Sequence, residues 1–174
     1  MLHISVVLSW LVHKSTIKMR ERVCDYPRPP RLEKSCENIR VDALGITLAQ
    51  TKLSLRVLET FHPPTYYLPP NSVNKEYLKE TSGRPSYCEW KGIASYYDIV
   101  VQDKCVKRAV WTYPNPTGVF RELAGWYAVY PGMMDCCWVN GEVVVPQPGR
   151  FYGGWITSQV EGPFKGDPNH PELI

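Results

Sequence analysis

Residues 55–70, LRVLETFHPPTYYLPP, and residues 86–92, SYCEWKG, are the two segments around which the rest of the chain is predicted to be organised. Residues 55–60 are typical of a β-strand, in which successive side chains point to opposite faces of a sheet. Arg56 and Glu59 therefore fall on different faces of this strand. Together the two segments concentrate titratable groups beside aromatic residues and prolines, which favours a functional site.

Two prolines stiffen the end of the first segment. Pro63 and Pro64 remove two amide donors and favour extended conformations for Phe61 and His62 before them. We therefore expect the imidazole of His62 to have a fixed direction without belonging to a regular ladder. The alternative interpretation is a solvated strand face with His62 as a hydrogen-bonded histidine of the core.

The composition indicates one globular domain of mainly β structure. A chain of 174 residues can bury about two thirds of its unfolded surface. Apolar residues make up 44% and charged residues 21%, and the 16 Pro, 11 Tyr and 6 Trp favour turns and aromatic-rich strands. The formal charge of +3 is small and dispersed, so we expect a small-molecule ligand rather than nucleic acid or a membrane. The sequence leaves the oligomeric state open.

The cysteine pattern argues against a metal site and against a redox pair. Six cysteines occur and none forms a C-x-x-C pair, so the signals of zinc sites and thioredoxin-type sites are missing. Cys136 and Cys137 are adjacent in the chain, and neighbouring cysteines seldom pair with each other. We therefore expect reduced thiols, a cytoplasmic protein, no metal and no cofactor.

Residues 1–22 differ in composition from the rest of the chain. The apolar run at 2–12 is too short to span a bilayer and lacks the features of a secretory signal. One interpretation is a mitochondrial presequence, since Glu21 is the single acidic residue among several basic ones. The favoured interpretation is a dispensable extension ahead of a start at Met19. We predict that residues 1–22 lie outside the core and that 23–174 form a single β-rich domain.

Alternating patterns predict the sheet. Runs at 39–43 and 46–50 predict a hairpin, and residues 55–60 a central strand. A longer hairpin is predicted over 93–101 and 105–113, around a turn at 102–104. These are the side chains predicted to share one of its faces: Tyr97, Ile99, Trp111 and Tyr113. The Asn140-Gly141 pair predicts a tight turn near the end of the sheet.

Two short helices are predicted between the strands. Ser72 is a suitable cap for a helix that extends to Lys79. Asn115 as a cap, Pro116 at the first helical position and Gly125 past the end frame the second helix. The predicted class is therefore mainly β, as a small single-domain antiparallel fold with two short helices.

Eight long and chemically unusual segments occur between Arg28 and Gly166. They are RPPRLE (28–33), RVLETFHPPTYYLPP (56–70), CEWKGIASYYD (88–98), AVWTYPNP (109–116), GWYAVYPGMMD (125–135), WVNGE (138–142), QPGRFYGGWI (147–156) and GPFKG (162–166). In order and spacing they resemble the family catalogued as domain of unknown function 427, which is also labelled a nucleotidyltransferase domain. The resemblance implies a fold similar to the β-tent architecture of methionine sulfoxide reductase B and certain Rab-binding zinc proteins. It implies no particular reaction.

The residues themselves do not favour nucleotidyl transfer or thiol redox chemistry. Nucleotidyl transfer needs a Gly-Ser turn followed by a close acidic pair that holds Mg²⁺, whereas Asp98, Asp103 and Asp135 are isolated. The stretch GGWITSQVEGPFKG lacks the spacing of a phosphate-binding loop. A sulfoxide reductase needs an activated thiol with a resolving partner, and Cys88 is the one candidate thiol.

The remaining chemistry is general acid–base or covalent catalysis. His62 can shuttle a proton near neutral pH, and Lys91 can form a Schiff base or bind an anion. Glu59 and Cys88 complete the predicted catalytic set, and Arg56 can clamp a carboxylate. The expected walls of the substrate-binding pocket are Tyr66, Tyr67, Trp90, Trp111 and Tyr113.

Each of these residues also has a structural interpretation. The aromatic residues can be core packing, Arg56 and Glu59 can form a salt bridge, and Lys91 can be a turn lysine in solvent. The close approach of a backbone, or a turn, accounts for Gly153 and Gly154.

Two function classes follow from this pattern. The first is a metal-independent enzyme of isomerase, cyclase or lyase type, of the kind used in biosynthesis. The second is a non-catalytic module that binds a small molecule or a protein. A single concave site would favour the enzyme, and a flat aromatic patch would favour the module. The residues predicted to converge on that single site are Arg56, Glu59, His62, Cys88 and Lys91.

Overall fold

The structure is a computed structural model that describes residues 19–149 and 151–173, and it is mainly β. Sixteen strands form in these two ranges. In chain order they are β1 Glu21–Arg22, β2 Arg31–Ser35, β3 Ile39–Ala43, β4 Ile46–Thr51, β5 Ser54–Leu58, β6 Thr65–Tyr67, β7 Leu78–Glu80, β8 Ser86–Cys88, β9 Gly92–Val101, β10 Lys104–Thr112, β11 Tyr127–Val129, β12 Cys136–Val139, β13 Glu142–Val143, β14 Val145–Pro146, β15 Trp155–Ile156 and β16 Val160–Glu161. No helix within this part of the chain is long and apolar enough to span a membrane.

Three sheets carry most of the architecture. A five-stranded sheet has the order β11-β10-β9-β7, with β8 also paired to β9. A four-stranded sheet has the order β13-β12-β3-β4, and a three-stranded sheet has the order β2-β5-β6. Backbone hydrogen bonds in both directions between Leu68 and Tyr127, at 2.7 and 2.9 Å, join the end of β6 to β11. The three-stranded and five-stranded sheets are thereby linked at their edges.

The five-stranded sheet is packed on both of its faces. On one face, Ile99 and Val110 pack with Ile39, Val41 and other residues of the four-stranded sheet in the larger core cluster. On the opposite face, a second cluster joins Trp111 and Tyr113 to Leu55, Val57 and Tyr67 of the three-stranded sheet. The second cluster lies beside the cavity described below.

Both predicted hairpins form, and so does the predicted turn at Asn140-Gly141. β3 pairs with β4 across Leu44-Gly45, and β12 pairs with β13 across Asn140-Gly141. Asn140 and Gly141 have φ angles of 53° and 83°, as the tight turns that suit the twist of a hairpin require. β9 pairs with β10 along most of its length.

The face assignment in the long hairpin was wrong. Val101 pairs with Lys104, so the turn has two residues rather than three, and Trp111 pairs with Tyr96 while Val110 pairs with Tyr97. A one-residue change of register moves every side chain of a strand to the other face. Tyr97 and Ile99 therefore face the larger core, whereas Trp111 and Tyr113 face the second cluster.

The two predicted helices are not α-helices. Residues 72–79 contain one 3₁₀ turn, Lys75–Tyr77, and then continue into β7, where Leu78 pairs with Ile99. Residues 115–125 contain the 3₁₀ helix Gly118–Leu123. Such short segments gain little from helix formation alone, so tertiary pairing and packing decide their conformation.

The N-terminal boundary differs from the predicted one. Glu21 and Arg22, which were predicted to belong to the extension, form β1 and pair in parallel with β16. Val23 is fully buried, and Arg20 Nε donates to the carbonyl of Ser158 at 3.0 Å. The prediction for residues 1–18 lies outside the described residues.

A buried ion-pair network ties β1, β2 and β5 together. Arg56 is 9% exposed, and its guanidinium donates to Glu33 through Nε, at 2.9 Å, and through Nη2. Its Nη1 lies 3.1 Å from the carboxylate of Glu21. Burial opposes the charge, and the bonds from Glu33 and Glu21 outweigh burial, so the pKa of Arg56 lies above its ordinary value. Arg56 therefore holds three strands together through charge-assisted bonds.

We predict that Glu33→Gln lowers the free energy of unfolding by about 2 kcal/mol or more, because it weakens the pairing of a buried guanidinium. Lys34→Gln is the matched control on the same strand, since Lys34 pairs with Glu122 at 3.9 Å with 74% of its side chain exposed. We expect the control to change stability by roughly 0.5 kcal/mol or less. Urea denaturation of the two variants measures the difference. Equal stabilities would contradict a structural role for the Arg56 network.

Candidate functional site

One cavity brings together most of the predicted site residues. It has a volume of about 320 Å³ and lies between β5 and β6 on one side and β8, β9 and β10 on the other. Eight of the ten predicted residues line it: Glu59, His62, Tyr67, Cys88, Trp90, Lys91, Trp111 and Tyr113. The two segments from which the sequence analysis began therefore meet at one concave surface.

Arg56 and Tyr66 are the two corrections to the predicted set, because neither lines this cavity. Arg56 pairs across the sheet with Tyr66 on one side and Glu33 on the other, so these three side chains share the opposite face. The hydroxyl of Tyr66 donates to Glu37 at 2.6 Å. Alternation along β5 separates Arg56 from Val57 and Glu59, which do line the cavity.

A turn positions Glu59 and His62 at the cavity. The amide of His62 donates to the carbonyl of Glu59 at 2.9 Å, and Phe61 between them has a φ angle of 63°. The prolines that follow Phe61 predicted an extended conformation for it, and this prediction was wrong. The amide of Phe61 donates to the carbonyl of Val23 and its carbonyl accepts from the amide of Lys165, at 2.9 and 2.8 Å. These bonds hold the turn in its left-handed conformation.

The side chain of Gln147 orients the imidazole of His62. Gln147 is 4% exposed, and its amide nitrogen donates to the carbonyl of Lys165 at 2.9 Å. Because a carbonyl only accepts, the nitrogen of the amide must lie on this side, and the same nitrogen lies 3.0 Å from Nδ1 of His62. Nδ1 therefore accepts, and the proton of the neutral ring is on Nε2, which has no hydrogen-bond partner among the described residues.

The electrostatic surroundings favour the neutral form of His62. Burial lowers the pKa of His62 below its ordinary value, and the positive charges of Lys165 and Lys91 lower it further. The negative charge of Glu59 acts in the opposite direction and does not outweigh them. The ring of Tyr152 packs edge-on against the imidazole, with 5.0 Å between ring centroids. His62 is thus held as a neutral hydrogen-bond donor at neutral pH.

Lys91 brings a cation into an aromatic environment. The residue is 8% exposed, and its Nζ lies 5.4 Å from the ring centre of Phe120 and 5.8 Å from that of Tyr113. No carboxylate within residues 19–149 and 151–173 lies within 4.0 Å of Nζ. The interpretation of Lys91 as a turn lysine in solvent is therefore not supported.

Glu59 and Glu89 share one arginine at the rim of the cavity. Arg28 Nη1 lies 3.6 Å from the carboxylate of Glu59, and Nη2 lies 3.1 Å from that of Glu89. The Arg28 guanidinium also lies 6.0 Å from the ring centre of Trp90. The side chain of Glu59 is 19% exposed, whereas that of Glu89 is 60% exposed. Glu59 is the deeper of the two carboxylates.

The aromatic walls carry hydroxyl groups that stay protonated. Burial raises the pKa of Tyr67, Tyr113 and Tyr130 above the ordinary value of a phenol. Trp111 Nε1 donates to the hydroxyl of Tyr67 at 3.2 Å, and its ring lies 4.5 Å from that of Tyr130, centre to centre. The walls therefore combine flat apolar surface with neutral hydrogen-bond donors.

The one cysteine that lines the cavity is Cys88, which packs against the cluster that contains Tyr113. All six cysteines are free, and the other five do not line this cavity. In the described ranges, no group of three or more His, Cys, Asp or Glu side chains is arranged to hold a metal ion. The predicted absence of a metal and of a cofactor stays a prediction.

The sequence analysis missed several residues that complete the cavity. Gln147, Tyr152 and Lys165 come from the C-terminal segment, and Tyr96 and Tyr130 come from the five-stranded sheet. One indication of this segment's position was present in the sequence, because the paired glycines of QPGRFYGGWI suggested that its backbone closely approaches another part of the chain. A Cβ atom at Gly153 would overlap the ring of Trp111, and one at Gly154 would overlap the amide of Gln147. Lys165 lies in GPFKG, one of the segments that carry the family resemblance, but no chemical pattern in that segment pointed to a role for it.

The family assignment follows from comparison with protein-family models. The model described as "Domain of unknown function (DUF427)" matches residues 31–140, which is more than half of the chain. The chain therefore belongs to the DUF427 family. The curated proteins include no match to it.

We predict that Gly153→Ala destabilises the protein by about 1–3 kcal/mol, because the added methyl group forces Trp111 or the loop to move. Gly132→Ala is the matched control, since its Cβ would lie at an ordinary 3.5 Å from Pro146. Thermal unfolding followed by circular dichroism compares the two variants. Similar melting temperatures would contradict the close packing of the C-terminal segment on Trp111.

We also predict that His62 makes stability depend on pH. Its pKa is lower in the folded chain than the unfolded value of 6.5, so the unfolded state binds more protons as the pH falls through 6.5 and stability decreases. His62→Gln should flatten this part of the curve of stability against pH, measured as urea midpoints at three pH values from about 7.5 to 5.5.

The groups that surround the imidazole of His62 are Glu59, Gln147, Tyr152, Lys165 and Lys91. His170→Gln, at an exposed histidine, is the control, and an unchanged slope in His62→Gln would contradict the prediction.

Proposed function

We propose that this protein is an enzyme that acts on a small organic molecule and transfers protons next to a carbonyl group, as an isomerase, cyclase or lyase. The observation that supports the proposal is the fixed, neutral imidazole of His62 in a cavity that it shares with Glu59 and Lys91. Acid–base groups in a partly closed cavity are the usual equipment of this chemistry.

The tautomer of His62 suggests its role. With the proton on Nε2, the neutral ring can donate a hydrogen bond to a substrate oxygen and stabilise the negative charge that develops there. Glu59 is the carboxylate positioned to accept a proton from the neighbouring carbon. Lys91 orients the substrate through its charge.

The covalent form of the proposal is less favoured. Cys88 packs in the same cluster as Tyr113, and among the described residues it has no second cysteine beside it in the cavity. Lys91 can form a Schiff base with a carbonyl compound in principle. His62 and Glu59 need no covalent intermediate for the proposed proton transfer, so acid–base chemistry is the simpler proposal.

Nucleotidyl transfer is not proposed, because the isolated acidic residues have structural partners. Asp98 is 5% exposed and accepts from Thr81, from Lys107 and from the amide of Arg108. The carboxylate of Asp135 accepts from the amide of Gly45 at 2.7 Å. Thiol redox chemistry is not proposed either, for lack of a resolving thiol at Cys88.

The second candidate is a binding module that holds the same ligand without transforming it. The mouth of the cavity supports it, since Tyr87 and Phe151 line the cavity and are 76% and 75% exposed. Such exposed aromatic residues are common where proteins bind partners or ligands. The experiment below separates the two candidates.

The wider setting follows from the same considerations. We infer that the protein works in the cytoplasm, because six free thiols suit a reducing compartment. Its proposed partner is a small molecule, and neither nucleic acid nor a membrane is proposed. We also propose that the fold is similar to the β-tent architecture, because the sequence resembles the family for which that fold is expected.

Proton transfer can be tested without knowledge of the product. The full chain is incubated in D₂O with a panel of aliphatic and aromatic ketones, aldehydes and 2-oxo acids, and exchange of their α-protons is followed by ¹H NMR. We expect the wild-type protein to accelerate exchange in one class of compound. Glu59→Gln and His62→Ala should each lower that rate by roughly 10²- to 10⁴-fold.

The control is Glu122→Gln, which changes a carboxylate that has 63% of its side chain exposed and is not part of the cavity lining. It should exchange protons at the wild-type rate. Compounds that bind to the wild-type protein without exchange would overturn the enzyme and support the binding module.

A further inference from the structure

The carboxylates and the lysines at the cavity differ in whether they have an oppositely charged partner in the protein. The carboxylates of Glu59 and Glu89 both lie within 4.0 Å of the guanidinium of Arg28. Lys91 and Lys165 also line the cavity, and within the described ranges neither ammonium group has a carboxylate at that distance. The acidic groups thus have a protein cation as a partner, whereas the two lysines have no anionic partner among the described residues.

The deeper lysine gains little from its surroundings in the free protein. Two aromatic rings flank Lys91, and their cation–π contacts compensate its burial only in part. Burial of an ammonium group without a hydrogen-bonded anion is costly. An anionic ligand atom beside Nζ would remove that cost, so the position selects for negative charge.

The walls restrict the shape of the ligand. Flat aromatic surfaces from Tyr67, Trp111, Tyr113 and Tyr130 line the same cavity as the lysine, and protonated phenol groups favour a ligand that presents acceptor oxygens. The volume of about 320 Å³ is at the small end of the range for ligand sites. A flat molecule with an acidic end fits these properties better than a bulky or cationic one.

We infer that the substrate is a small planar carboxylic acid, aromatic or conjugated, whose carboxylate binds Lys91 and whose plane lies against the aromatic wall formed by Trp111 and Tyr113. The inference rests on the proposed function, because it names the substrate class of the same site. Nε2 of His62 then meets the carbonyl or hydroxyl oxygen at the reactive end, and Lys165 lies beside His62 on the outer side of the cavity.

Three probes of similar size separate charge from shape. They are trans-cinnamate, its neutral amide trans-cinnamamide, and the non-planar acid 3-cyclohexylpropanoate. Isothermal titration calorimetry with the full chain at pH 7.5 should show cinnamate binding at least about ten-fold more tightly than the amide, the factor expected for one charge-assisted hydrogen bond. Cinnamate should also bind more tightly than the cyclohexyl acid, since a flat ring stacks on the aromatic walls.

A variant assigns the charge preference to one residue. Lys91→Met keeps the length of the side chain and removes its charge, so it should abolish the preference for cinnamate over cinnamamide. Lys34→Met, at an exposed lysine outside the cavity, is the matched control and should retain the preference. Circular dichroism checks that both variants are folded, and the comparison of probes on the wild-type protein needs no variant.

The outcomes separate this inference from the proposed function. Equal affinity of the wild-type protein for cinnamate and cinnamamide, or a preference that survives Lys91→Met, would overturn the inferred ligand class. Binding is measured without turnover. Absence of proton exchange with the charge preference intact would therefore overturn only the proposed reaction, whereas exchange without a charge preference would overturn only the ligand class.

Discussion

The register between β9 and β10 is the constraint on which both the core and the cavity depend. A two-residue turn pairs Val101 with Lys104, and this pairing determines which side chains of β9 and β10 point to each face of the five-stranded sheet. Ile99 and Val110 fill the core against the four-stranded sheet, while Trp111 and Tyr113 face the three-stranded sheet. The irregularity between Val106 and Val110 adds two residues to β10 and so preserves this division.

The C-terminal segment turns a cleft between two sheets into a site with a fixed imidazole. Gly153 allows the segment to approach Trp111, and Lys165 is tied through its amide to the turn that carries His62. Gln147 then links the carbonyl of Lys165 to Nδ1 of His62. Because each of these contacts uses backbone groups or a buried amide, the imidazole is oriented by the fold itself, before any ligand binds.

Charge is distributed differently on the two faces of β5. Arg56 is neutralised by Glu33 and Glu21 on the face away from the cavity, and it stabilises the packing of β1, β2 and β5. On the cavity side, Glu59 shares Arg28 with Glu89, and Lys91 packs against aromatic rings. A buried ion pair that is complete within the protein supports structure, whereas the buried cation without a carboxylate partner in the described residues is the basis of the ligand class that we infer.

The sequence by itself determined the β class, the hairpins around Leu44-Gly45 and Asn140-Gly141, and the family, because these depend on local alternation, turn chemistry and characteristic segments. It also indicated that Glu59, His62, Cys88 and Lys91 belong together, since they lie on two stiff segments rich in aromatic residues. Alternation along β5 already separated Arg56 from Glu59, and the structure follows that local rule. Only the tertiary structure decided the faces of the long hairpin, the conformation of residues 72–80 and the contribution of Gln147 and Lys165. These features depend on one residue of register and on contacts between distant segments, such as His62 with Gln147, 85 positions apart, and Phe61 with Lys165, 104 positions apart, which no local pattern encodes.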